Sequence, residues 1–129
     1  MSEITFPGAD FSFDPPLINC TSKPMDGIRV KIGPLGNAQV GAVLKLTWQG
    51  EDMSNKPIPD TKISLNHFVT ENDQVKGFEE LIGDYFLHIK PILNGNGRAS
   101  YTINGGPEQS ARIRVFLSYP DGTTCDEKH

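Results

Sequence analysis

At 129 residues the chain is long enough to bury one sizeable hydrophobic core and too short for two ordinary ones, so a single domain is expected. Thirteen glycines and ten prolines beside 36% hydrophobic and 22% charged residues exclude a helical bundle and a disordered tail, and favour short strands joined by turns. A formal net charge of -4 gives no field that would hold a nucleic-acid backbone, and no apolar run approaches the roughly 18 residues a membrane span requires.

Residues 1–27 are rich in Pro, Asp and Ser, with isolated aromatics Phe6, Phe11 and Phe13 and no hydrophobic period. They are expected to form an extended N-terminal arm, with Phe11-Ser12-Phe13 as a short edge strand or the arm laid on a neighbouring subunit, because exposed phenylalanines are costly in water. No basic start and no apolar stretch precede Cys20, so no secretory signal is read, and the expected location is cytoplasmic, or exported by a signal-independent route. Cys20 and Cys125 stand near opposite ends of the chain. Two readings stay open for them. A reducing cytosol would keep both thiols free, whereas a disulfide would close nearly the whole domain into one loop.

From Ile28 the side chains alternate with period 2, the pattern of a strand with one buried face. Ile28, Val30 and Ile32 oppose Arg29 and Lys31, and Gly33-Pro34 ends the segment. A glycine-rich turn over 33–41 leads into the clearest strand, 42–48, with Leu44, Leu46 and Trp48 on one face. Residues 50–60, with Pro57 and Pro59, read as a loop, and 63–70 resume the alternation. Glu71-Asn72-Asp73 reads as a turn. Residues 75–82 combine helical spacing at Phe78, Leu81 and Ile82 with bracketing glycines, which predicts a strand plus a short helical turn. Residues 85–90 read as a strand stopped by Pro91. The Asn94–Gly97 stretch reads as a turn, 98–103 as a strand with Ala99, Tyr101 and Ile103 inward, and 111–119 as a strand with Ile113, Val115, Leu117 and Tyr119 inward. Tyr119 to Thr123 is a turn. About seven strands with no long helix predict an all-β, two-sheet sandwich over residues 28–129.

Gly41 before a strand, Trp48-Gln49-Gly50 after it, Gly97-x-Ala99-x-Tyr101-x-Ile103, and Ser110 followed by Val115 form an order similar to bacterial immunoglobulin-like domains of the invasin/intimin type, over about residues 28–119. The resemblance implies an immunoglobulin-like sandwich. It also implies a part in adhesion, since such domains serve as stiff spacers in surface adhesins and terminal copies bind receptors or sugars. A single copy without an export signal suits a free-standing binding module better than a spacer.

No strand-turn-helix nucleophile elbow is present, and the 33–41 glycines lead into a strand, where a phosphate loop would lead into a helix. His67, His88 and the terminal His129 have no short metal-ligand spacing, and Glu79 and Glu80 point apart on a strand, so neither a metal or other cofactor nor an enzyme activity is expected. If the last two strands form a hairpin, Arg98, Ser100 and Thr102 share a face with Arg112, Arg114 and Phe116. Guanidinium groups there fork onto carboxylate or phosphate, and Phe116 stacks a sugar ring. Trp48, with the loops 49–60 and 94–97, is a second candidate surface, although a solvated polar face and ordinary turns are the simpler explanations of the two patterns. The expected function is a non-enzymatic module that recognises a glycan or protein ligand. The alternative is an assembly protein that uses its N-terminal arm or its edge strands to join partner chains.

Overall fold

A computed structural model describes residues 3–14 and 16–127. It contains two packed β-sheets. The strands are β1 (Ile4–Thr5), β2 (Leu17–Ile18), β3 (Ile28–Ile32), β4 (Val43–Glu51), β5 (Ile63–Phe68), β6 (Phe78–Ile82), β7 (Asn94–Ile103) and β8 (Gln109–Phe116). One sheet has the order β1-β3-β6 and the other β2-β8-β7-β4-β5. All pairings are antiparallel except that of β2 with β8. The result is the expected all-β, two-sheet sandwich.

Alternation puts the apolar half of each strand between the sheets. Ile28, Val30 and Ile32 of β3 meet Leu44, Leu46 and Trp48 of β4, Ala99 and Tyr101 of β7, and Ile113 and Val115 of β8, all buried. Trp48, expected near a ligand-contacting loop, instead fills the centre of this core with no exposed surface. Its strand runs on through Gln49 and Gly50 to Glu51, and its indole Nε1 donates to the His88 carbonyl at 3.1 Å. Gly97 of β7 faces the ring. A Cβ there would overlap the indole, so the large side chain and the missing one are a matched pair.

The N-terminal arm lies along both sheets. Ile4–Thr5 pairs with β3, the chain then crosses, and Leu17–Ile18 pairs in parallel with Arg114 and Val115 of β8. Phe6 and Ile18 are buried in the core. Phe11 to Phe13 are bends and turns, not the edge strand expected of them. Cys20 is bonded to Cys125 across 105 residues of sequence, so the free-thiol reading does not describe this structure.

Three other segments depart from expectation. Asn94–Gly97 is the start of β7 and not a turn, because Gly50 and Glu51 extend β4 alongside it. Residues 71–76 form a short helix, α1 (Glu71–Lys76), with a capping box in which the Thr70 side chain accepts from the Asp73 N–H and the Asp73 carboxylate accepts from the Thr70 N–H. Residues 85–90 are not a strand. Tyr85–Ile89 is a π-helical turn followed by a 3-10 turn at Lys90–Ile92. Tyr85, Ile89 and Ile92 are buried at helical spacing, while Phe86 and Leu87 between them are exposed.

Candidate functional site

The register confirms that β7 and β8 form a hairpin. Arg98 stands opposite Arg112, Asn96 opposite Arg114, and Asn94 opposite Phe116, so the expected residues share the outward face of the five-stranded sheet. Their charges are not equivalent. Arg98 Nη2 donates to Glu108 at 2.5 Å, and Arg112 grips Glu51 with two bonds, Nε to Oε1 at 2.8 Å and Nη2 to Oε2 at 3.3 Å. Glu51 is buried, and the bond it accepts raises the Arg112 pKa above its ordinary value. Removing Arg112 would strand a buried carboxylate, which makes this arginine part of the fold's support. A concavity of about 390 Å³ runs over this region, with Lys45, Lys62, Arg98, Glu51 and Glu108 around it; its two carboxylates are engaged by Arg112 and Arg98.

Arg114 differs. Its Nη2 donates to the neutral side-chain oxygen of Asn94 at 3.2 Å, its Nε is buried without a hydrogen-bond partner, and no carboxylate pairs with it among the described residues. It lines a groove of about 620 Å³ together with Leu17 and Phe116. Phe13, Tyr119, Asp14, Asn19 and Thr21 line it as well. Phe13 and Phe116 are 51% and 38% exposed, so two aromatic surfaces are open to a ligand.

Local chemistry holds the groove's walls. Asp10 and Leu17 exchange two backbone hydrogen bonds, at 2.7 and 3.1 Å, and so close the loop that carries Phe13 and Asp14. The side-chain and backbone bonds from Ser12 hold the Asp10 carboxyl below its usual range. Asn19 caps a 3-10 turn at Cys20–Ser22, and the disulfide ties that turn to Cys125. Tyr119 begins a turn in which its N–H donates to Thr123 O at 2.8 Å and Gly122 adopts positive φ. Beyond it, Asp126 accepts from Lys90 Nζ at 2.9 Å, from Thr124 Oγ1 at 2.7 Å and from the Tyr85 hydroxyl at 3.0 Å. These donors, Lys90 first, hold the Asp126 carboxyl far below its usual range. Burial, reinforced by Asp126, pushes the Tyr85 hydroxyl up to about 12.

His67 and His88 do not come together. His67 Nε2 donates to Asp73 Oδ2 at 2.6 Å, and its ring stacks on Phe78 with centroids 3.9 Å apart. His88 Nδ1 accepts from the Asp84 N–H at 2.8 Å within the π-helical turn, and His129 lies outside the described residues. Among the described residues no group of three or more His, Cys, Asp or Glu is placed to hold a metal ion. Glu79 reaches Arg29 at 3.7 Å and Glu80 approaches His67 at 3.9 Å, so the two carboxylates face different neighbours.

Sequence reasoning named Arg114 and Phe116 but missed Phe13, Leu17 and Tyr119. The parallel pairing of β2 with β8 sets Leu17 opposite Arg114 and carries the segment with Phe13 to the same groove, while Tyr119 follows β8 in the chain. No protein-family model matches the chain, and no curated protein or solved structure matches it significantly. No helix among the described residues is long and apolar enough to cross a membrane.

Proposed function

We propose that this domain is a non-enzymatic binding module and that the groove over Arg114 receives its ligand, an acidic sugar. One observation carries the reading: an arginine with no carboxylate partner among the described residues lines the same groove as Phe13, Phe116 and Tyr119. A guanidinium with open donors takes a carboxylate or phosphate, and an exposed aromatic face takes the C–H face of a sugar ring. Asp14, Asn19 and Thr21 supply groups that suit hydroxyls. The volume of about 620 Å³ falls in the range of roughly 300 to 1,000 Å³ typical of small-ligand sites. The resemblance to invasin/intimin-type domains points toward the same class of role.

Calorimetric titration with neutral oligosaccharides, uronic-acid oligosaccharides and acidic peptides tests this. Uronic-acid ligands should bind, and Arg114→Ala should weaken them about tenfold or more, the loss of a charge-assisted pair, with a smaller loss for Phe116→Ala. Peptide binding alone would move the reading to a protein ligand. Binding of nothing, or binding indifferent to Arg114→Ala, would overturn it. Arg112→Ala is not a suitable probe, because it uncovers Glu51.

A further inference from the structure

We infer that the outer edge of β5 pairs with the same edge of a second copy of this chain, in antiparallel register about a two-fold axis at Asn66. The inference is independent of the groove.

The ladder shows which backbone groups are open. Val69 N–H donates to Ala42 O at 2.9 Å, and the register from Phe68↔Val43 to Ile63↔Trp48 continues without a bulge. Alternation in an antiparallel pair then directs the N–H and C=O of Ile63, Leu65 and His67 at β4, and those of Ser64, Asn66 and Phe68 away from it. No backbone or side-chain bond reaches these three residues' outward groups among the described residues. All three are exposed, Phe68 by 65%.

The other edges carry protection that this one lacks. β1 and β2 are two residues long, β6 carries Glu79 and Glu80, and the part of β8 beyond β2 carries Arg112. Short length and charge are the usual means of blocking edge-to-edge pairing. β5 spans six residues, Ile-Ser-Leu-Asn-His-Phe, with no Asp, Glu, Lys, Arg or Pro.

The edge is also complementary to itself. Using all the outward groups requires Ser64 opposite Phe68 of the second copy and Asn66 opposite its own counterpart, which forms about six backbone hydrogen bonds. Lys62 precedes the strand, and Glu71 follows it at the start of α1. Antiparallel pairing sets Lys62 of each copy beside Thr70 and Glu71 of the other, so opposite charges meet at both ends.

Sedimentation equilibrium of the whole chain from micromolar to millimolar concentration tests the inference. The wild type should show a monomer–dimer equilibrium. Asn66→Lys, an exposed change whose backbone N–H β4 does not use, brings like charges together on the axis and should weaken association at least about tenfold. Amide exchange at Ser64, Asn66 and Phe68 should slow as concentration rises, while Arg114→Ala leaves association unchanged. A wild type monomeric throughout would overturn the inference. So would a dimer that ignores Asn66→Lys and leaves those three amides exchanging at a concentration-independent rate.

Discussion

The tightest residue-level constraint in the core is the contact of Trp48 with Gly97. The indole fills the space a side chain on β7 would occupy, and its N–H is satisfied by the His88 carbonyl, so the ring has little freedom to retreat. Gly97→Ala should therefore cost about 2 to 3 kcal/mol or more, the scale of overpacking in a close-packed core, read as a lower urea midpoint at unchanged slope. Trp48 was visible as a member of an alternating strand, whereas Gly97 reads as part of a turn. Their partnership was not visible, because Asn-Gly-Asn-Gly is also an ordinary turn sequence and nothing local shows that β4 runs three residues past the tryptophan.

At the scale of elements, α1 and the π-helical turn show how local chemistry settles a short segment. α1 is held at its start by the Thr70–Asp73 capping box, and Asp73 also accepts from His67. Burial pushes the Asp73 pKa up, but the bonds from His67 and Thr70 outweigh it and leave the carboxyl below its ordinary 3.8. A carboxylate depressed on folding adds stability that is complete above about pH 5 and is lost as pH falls through the folded value. Asp73→Ala should cost about 1 to 3 kcal/mol at pH 7, and denaturation at pH 7, 4 and 2.5 should show the gap to wild type shrinking with acid. A gap constant with pH would mean that the cost lies in packing. The capping signal Thr-x-x-Asp was legible in the sequence and was read as a turn. In Tyr85–Ile92 the buried residues recur at helical spacing, but apolar residues at Phe86 and Leu87 fill the intervening positions and hide the period.

At the scale of the whole molecule, the disulfide and the Asp126 cluster bind the two ends of the chain to each other and to the segment 85–92. A crosslink between residues 105 apart removes about 4 to 5 kcal/mol of unfolded-chain entropy in the loop-closure model. Reduction, or Cys20→Ser with Cys125→Ser, should lower unfolding stability by up to that amount, measured by guanidinium denaturation with and without reductant. Because Cys20 borders the groove, the same change should weaken ligand binding while the far edge at β5 keeps its association. The alternation from Ile28 to Leu117 determined the sandwich by itself, since a strand with one apolar face has to bury that face against another sheet. Tertiary structure alone decided which outward residues form a site. Arg112 is engaged by Glu51, 61 residues away in sequence, while Arg114 meets no carboxylate among the described residues, and Phe13 and Leu17 come to its groove through a parallel pairing that no local pattern encodes.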